Sequence, residues 1–281
     1  MKVEGKKYIK WTTEQEKKGD NMKKIITTGA IAFILSGCST TQQESQPKEE
    51  NTNQTSQQQA ENQETKEWTI PSENLNKVKE EDGHNVILNP ENILALVNKE
   101  YYLPSDYEPK DLIRPEVSFS FGNEDIEKSY MRKEAGEALA EMFNGAKSEG
   151  MILYASSGYR SYERQSAVFD QEVANVGEEQ AEQAVAIPGS SEHQSGLAMD
   201  ITSEGQNFLL TEEFGEDKEG KWLMDNAYKY GFILRYPKDK VDITQYEYEP
   251  WHYRYVGKEA AKLIKEKNWT LEEFFANVED N

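Results

Sequence analysis

Between Ser129 and Glu149, Met131, Ala135, Ala138, Leu139, Met142 and Ala146 recur at three- and four-residue intervals, and Gly150 follows. That spacing predicts an amphipathic helix closed by its glycine. Met151–Ser156 is a short, nearly continuous apolar run and predicts a buried strand. Further helices are predicted over Tyr162–Asn175, Glu178–Ala186, Lys221–Tyr230 (ending at Gly231) and Glu259–Lys267. Thr270 and Glu273 form a capping-box pattern that opens a last short helix. Leu197–Thr202, Phe232–Tyr236 and Trp251–Val256 read as strands. Ile93–Asn98 is apolar without a deciding period and fits a buried strand or a short helix. Tyr101–Pro115, with Pro104, Pro109 and Pro115, reads as extended loop. Strands and helices mix without a regular βαβ rhythm, which predicts an α+β fold rather than a doubly wound one.

The pattern is different before residue 67. Met22-Lys23-Lys24 opens a basic stretch, and an apolar run from Ile25 to Leu35 follows. The run is too short to span a bilayer, which takes about 20 residues, and suits a signal-peptide core. Leu35-Ser36-Gly37-Cys38 then resembles the bacterial lipobox, in which the Cys is lipidated and becomes the mature N-terminus. Residues 39–66 contain no aromatic residue, Leu, Ile, Val or Met. Such a segment buries too little to offset chain entropy and reads as a flexible tether. The expected organisation is residues 1–21 as a mis-assigned start ahead of Met22, 22–37 as a lipoprotein signal, 38–66 as lipidated Cys38 plus tether, and 67–281 as the working domain. The expected location is the extracytoplasmic face of a bacterial membrane.

Composition narrows the function classes. There are 32 Lys and Arg against 52 Asp and Glu, a net charge of −20. This argues against a nucleic-acid partner, which requires clustered cations. Cys38 is the sole cysteine, so neither an intrachain disulfide nor a thiolate zinc cage is possible.

Three histidines remain: His84, His193 and His252. His84 has no ligand-type residue at ligand spacing and reads as a surface residue. His193 and Asp200 flank Gly196, and His252 follows Glu249 and Pro250. A catalytic zinc takes three nitrogen or oxygen ligands and keeps one position open. A turn at Gly196 feeding a strand would bring His193 and Asp200 together, with His252 arriving from a neighbouring strand. Pro250 disfavours a helical Glu-x-x-His, so Glu249 and His252 should sit on a loop entering a strand. Glu249 would then reach water at the metal as a general base. Residue types alone leave the alternative open of structural histidines and a turn aspartate.

The run Ser191-x-His193-x-x-Gly196-x-Ala198-x-Asp200, with Glu249-x-x-His252 downstream, resembles the zinc D-alanyl-D-alanine carboxypeptidase family. The likeness extends through Ser157-Gly158-Tyr159-Arg160-Ser161-Tyr162-x-x-Gln165, Pro188-Gly189, Leu96-Val97-Asn98-Lys99 and Gly257-Lys258-Glu259-Ala260-Ala261. The resemblance implies a small, mostly antiparallel sheet with flanking helices and a zinc site on the sheet face. It implies His193, Asp200 and His252 as zinc ligands and Glu249 as catalytic base and acid. It implies Arg160 as receptor for the terminal carboxylate, with Gln165 and Ser191 orienting the terminal D-residue. The substrate class implied is peptidoglycan stem peptides, cut at the diamino acid–D-Ala bond of a tetrapeptide (L,D) or at D-Ala–D-Ala of a pentapeptide (D,D), with L,D the preferred reading. Tyr159, Trp251 and Tyr253 are expected as core or cleft wall, and the protein as a monomer. The competing expectation is a lipoprotein that binds zinc or cell wall without catalysis.

Overall fold

A computed structural model describes residues 68–81 and 83–280. The expected start extension, signal, lipidated Cys38 and tether all lie outside the described residues. The strands are β1 (Trp68–Ile70), β2 (Val78–Glu81), β3 (His84–Ile87), β4 (Tyr101–Tyr102), β5 (Leu112–Ile113), β6 (Met131–Arg132), β7 (Tyr154–Ser157), β8 (Ala198–Thr202), β9 (Phe232–Leu234), β10 (His252–Tyr255) and β11 (Val278–Asp280). The helices are α1 (Lys133–Ser148), α2 (Tyr162–Val176), α3 (Glu178–Ala184), α4 (Lys218–Asn226), α5 (Val241–Thr244), α6 (Lys258–Lys267) and α7 (Leu271–Asn277).

The central sheet has the order β7-β8-β10-β9 and every pairing in it is antiparallel. Side chains alternate across its strands. Met199 and Ile201 of β8 and Tyr253 and Tyr255 of β10 face the main core. There they meet Ala135, Leu139 and Met142 of α1 and Trp222 and Leu223 of α4. Burial of each large apolar side chain contributes about 1.5–3 kcal/mol. Asp200, His252 and Arg254 occupy the alternate positions, on the opposite face. That face is also covered, so β8 and β10 are buried along their whole length.

The α+β architecture and the small antiparallel sheet agree with the sequence. Helix α1 starts at Lys133, four residues later than the expected Ser129, because Met131 and Arg132 pair with β5. At its end Gly150 adopts φ +79°. Its amide donates to Lys147 O, and the Met151 amide to Ala146 O, so the last carbonyls are satisfied. The strand expected at Met151–Ser156 is shifted to β7. Residues 93–98 correct the expectation of a strand or helix: they form an irregular buried segment. Asn76 pairs with both backbone groups of Leu96 at 2.8 and 3.0 Å, and Asn92 Oδ1 accepts the Leu94 amide at 2.9 Å. Side-chain amides thus do what a sheet neighbour would do. The loop expected over Tyr101–Pro115 contains the two-residue strands β4 and β5. The parallel pair of β1 with β11 joins the two ends of the described chain, a contact that local pattern could not announce.

Helix α7 has the expected capping box: Thr270 Oγ1 accepts the Glu273 amide at 3.1 Å, and Glu273 accepts the Thr270 amide at 2.8 Å. Glu272 on this helix receives Arg235 through two hydrogen bonds of 2.9 and 2.6 Å. Burial works to raise its carboxyl pKa, but the Arg235 charge and hydrogen bonds overcome this and hold it below the usual range. A carboxyl depressed by folding stabilises the fold above its unfolded pKa, and that stability is lost as pH falls through the folded value. Glu272→Gln is therefore expected to cost about 2 kcal/mol at pH 7, and the deficit should shrink as the pH falls below about 4. Paired thermal melts of the two proteins across pH check both points; a deficit independent of pH would contradict the assignment.

Candidate metal centre and active-site cleft

The β8–β10 register sets Asp200 directly opposite His252. Asp200 Oδ1 lies 3.0 Å from His252 Nδ1. His193 belongs to a 3-10 turn, Glu192–Ser195, that Gly196 closes with φ +68°. A Cβ at Gly196 would press on Arg132 and Leu112 at 3.0 and 3.1 Å, so both conformation and space favour glycine. The chain then enters β8, and His193 Nε2 arrives 3.4 Å from Asp200 Oδ2. The two imidazole rings meet edge to face, 5.0 Å between centroids. One ligand-type atom from each of His193, Asp200 and His252 falls within 4.8 Å of the others, and all three residues are buried.

This donor set fits zinc. Each histidine uses its outer nitrogen on an acceptor and turns the other inward. His193 Nδ1 donates to Gly158 O at 2.8 Å, which leaves Nε2 for a metal. His252 Nε2 lies 3.2 Å from Glu192 Oε2, which leaves Nδ1. Paired outer nitrogens of this kind are the usual support of metal-binding imidazoles. Without a metal, burial works to lower the His252 pKa, but its hydrogen bonds to Asp200 and Glu192 raise it to about 10.

Glu249 sits on the loop that enters β10, as Pro250 led us to expect, with Oε2 3.8 Å from His252 Nδ1. Burial raises its carboxyl pKa to about 7, against the opposing influence of His252. It lines a cleft of about 250 Å³ together with Arg160, Ser191, His193, Asp200 and His252. Tyr236, Tyr246, Trp251, Val168 and Val185 form further parts of its wall.

Arg160 follows β7. A bulge between Ala155 and Ser157 sets Ser157 opposite Asp200, and Ser157 Oγ accepts Arg160 Nη2 at 3.2 Å. Gln165 Oε1 accepts Arg160 Nη1 at 2.9 Å, while its Nε2 donates to Ala186 O at 2.6 Å. Gln165 is fully buried with both ends engaged, so it stands behind Arg160 rather than in the cleft. Ser191 is buried and lines the cleft. Of the aromatic neighbours, Trp251 lines the cleft, Tyr253 lies in the core and Tyr159 is buried beside Arg160. His84 is exposed and stacks on Tyr102 at 4.3 Å.

Sequence reading assigned no role to three charged residues at this site. Glu192 Oε1 accepts Arg235 Nε and Arg254 Nη1, each at 2.7 Å, and all three side chains are fully buried. Arg254 Nη2 also donates to Ile93 O and Ala95 O at 2.8 and 2.9 Å. The available signal was an arginine inside each of two otherwise aromatic or apolar strand runs, Phe232–Tyr236 and Trp251–Val256. Such an arginine, unable to lose its proton, needs a buried anion.

A family model described as D-alanyl-D-alanine carboxypeptidase, VanY, matches residues 128–258. "Putative carboxypeptidase YodJ" of Bacillus subtilis (strain 168) is 54% identical over 254 residues, covering 88% of this chain and 93% of the relative. A D-alanyl-D-alanine carboxypeptidase of Enterococcus faecium is 39% identical over 186 residues, 64% of this chain and 56% of the relative. Among solved structures, the LdcB LD-carboxypeptidase aligns with TM-score 0.75 and 59% identity over 76% of this chain and 100% of its own. A vancomycin-resistance D,D-pentapeptidase, VanY, in complex with Zn(II), aligns with TM-score 0.54 and 36% identity over 65% of this chain and 98% of its own.

His252→Ala would remove one of the three donors. Zinc retained after dialysis against a chelator, measured by elemental analysis, is expected to fall from near-stoichiometric to background. Full retention would place the metal elsewhere.

Proposed function

Because this chain belongs to the VanY D-alanyl-D-alanine carboxypeptidase family, we propose that it removes the C-terminal D-alanine from peptidoglycan stem peptides, preferring the diamino acid–D-Ala bond of a tetrapeptide. It is a zinc-type metallo-carboxypeptidase, a hydrolase. The observation that carries the substrate reading is one cleft lined by a guanidinium, a three-donor metal cluster and a carboxylate whose pKa lies near neutrality. The L,D preference draws support from the fuller likeness to the LD-carboxypeptidase, 59% identical against 36% for the D,D-pentapeptidase.

In this reading Arg160 receives the terminal carboxylate. Ser157 and Gln165 occupy two of its five N–H donors and fix the guanidinium plane, leaving the others for a bidentate grip. Only a chain end presents a carboxylate there, which makes the enzyme an exopeptidase. His193, Asp200 and His252 would hold zinc, which when bound would supply Lewis-acid polarisation of the scissile carbonyl and acidify water. Glu249 takes a proton from the attacking water and delivers it to the departing D-alanine amine. Its position beside His252 puts it within reach of the cluster, and its raised pKa suits a group that must both accept and return a proton. Tyr236, stacked on His252 at 5.0 Å, and Tyr246, stacked on Tyr236 at 4.6 Å, form an aromatic wall of the cleft beside the second histidine. All these residues come from one chain, so the site is complete without a second copy.

The lipobox-like sequence at Cys38 and the polar residues 39–66 support a lipid-anchored enzyme on the extracytoplasmic face of the membrane, where its substrate is found.

Mass spectrometry of defined muropeptides tests the activity. The tetrapeptide is expected to lose one alanine faster than the pentapeptide, and Glu249→Gln should cut turnover about 10²–10⁴-fold while retaining zinc. Loss from the pentapeptide alone would make this a D,D-enzyme. Zinc binding without any turnover would favour a non-catalytic wall-binding lipoprotein. Fractionation of cells tests the anchor: Cys38→Ser is expected to move the protein out of the membrane fraction, and unchanged membrane association would refute lipidation at this site.

A further inference from the structure

Glu192 has no solvent-exposed side-chain surface, and two fully buried guanidinium groups meet it. Its two oxygens have separate tasks. Oε1 takes both guanidinium groups at 2.7 Å. Oε2 faces His252 Nε2 at 3.2 Å. A carboxylate can only accept at that contact, so it selects the His252 form that carries a proton on Nε2 and turns Nδ1 towards Asp200 and Glu249.

The carboxylate is itself fixed from a distance. Arg235 spans Glu192 on one side and Glu272 of α7 on the other, with its Nε given to the former and both terminal nitrogens to the latter. Glu272 in turn accepts Asn98 Nδ2 at 3.2 Å, at the end of the irregular segment 93–98. Every link from His252 to α7 is a charge-assisted hydrogen bond between side chains that are buried or nearly so.

We propose that Glu192 is a positioning residue for the metal centre: it sets the tautomer and orientation of His252, and the Arg235–Glu272 pair makes the docking of α7 part of what holds the zinc ligand in place. The inference rests on the reading of His252 as a zinc ligand. It adds that zinc affinity is set in part by α7, whose Glu272 touches none of the three ligands. Glu192 has a role of its own here, because the annular support of a metal-bound imidazole strengthens it as a donor as well as aiming it.

Zinc affinity measured by competition with a chromophoric chelator, on wild type, Glu192→Gln, Glu272→Gln and the double variant, tests this at a temperature where melting curves show all to be folded. Outer partners of metal ligands are typically worth 10- to 100-fold in affinity, so Glu192→Gln is expected to bind zinc about 10- to 100-fold more weakly. Glu272→Gln should show a smaller loss, about threefold or more by the same reasoning. If Glu272 acts through Glu192, the double variant should bind no more weakly than Glu192→Gln alone. The visible spectrum of the cobalt-substituted protein gives a second readout, since a purely structural role would lower the melting temperature without altering the ligand field. A folded Glu192→Gln protein with unchanged zinc affinity and cobalt spectrum would overturn the proposal. Additive losses in the double variant would overturn the link to α7. Should Glu192→Gln fail to fold, Glu272→Gln decides: weakened zinc binding supports the proposal and unchanged binding overturns it. Failure of the wild-type protein to bind zinc would overturn the metal-site reading, and this inference with it.

Discussion

The register of β8 against β10 is the constraint from which the site follows. Pairing Asp200 with His252 also pairs Met199 with Tyr253 and Ala198 with Arg254. Side chains on a strand alternate between faces, so a slip of one residue would move the carboxylate and the imidazole to opposite sides. The slip would also push Met199 out of the core formed with α1. Packing energy, spread over Met199, Ile201, Tyr253 and Tyr255, therefore enforces an alignment that the polar groups could not afford to enforce alone. The bulge in β7 works within the same frame, since it sets Ser157 opposite Asp200 and gives Arg160 its anchor.

The face of the sheet that carries the cluster is unusually rich in buried charge. Asp200, Glu192, Arg235 and Arg254 all lie below a tenth exposed. Removing such ions from water costs several kcal/mol each, and an apolar packing of the same volume is often at least as stable. Stability alone is therefore a poor account of the arrangement. Geometry is a better one: the charges define where each hydrogen bond must point, and those directions end on the two histidines. The same need explains the irregular segment at 93–98. Its carbonyls at Ile93 and Ala95 receive Arg254, which a regular strand or helix would have prevented by using them internally.

These facts separate what the sequence disclosed from what it concealed. With only three histidines in 281 residues, two of them near carboxylates and one beside a glycine turn, the cluster residues could be named from their types and order. Pro250 correctly placed Glu249 on a loop, and Thr270 with Glu273 correctly opened α7. Each of those signals is local. Glu192 was hidden because its partners lie 43, 60 and 62 positions away, and a glutamate in a polar run looks like a surface residue. Segment 93–98 misled for the reverse reason: its apolar side chains are buried as periodicity implies, but Asn76 and Asn92 decide its backbone. Gln165 carried a helix position in the sequence, with nothing to show that both ends of its amide are occupied behind Arg160.

Under the proposed function, the turn Ser157–Arg160 ties recognition of a chain end to the metal cluster. Gly158 gives its carbonyl to His193 Nδ1, and the Arg160 amide donates to the His193 carbonyl at 3.2 Å. A side chain at Gly158 would collide with the Tyr130 carbonyl oxygen, so the turn cannot back away from His193 by accepting a larger residue. The turn and His193 are consequently held to each other by backbone as well as by side chain. In a carboxypeptidase the distance from the terminal carboxylate to the scissile carbonyl is set by a single residue, and the enzyme must reproduce that distance with little tolerance. A receptor on a separate mobile loop would blur it. Here the guanidinium and the first histidine belong to one hydrogen-bonded unit, and the second histidine is fixed to that unit by strand register. On that reading, the spacing that selects a chain end is built from the same bonds that bring the three donors together.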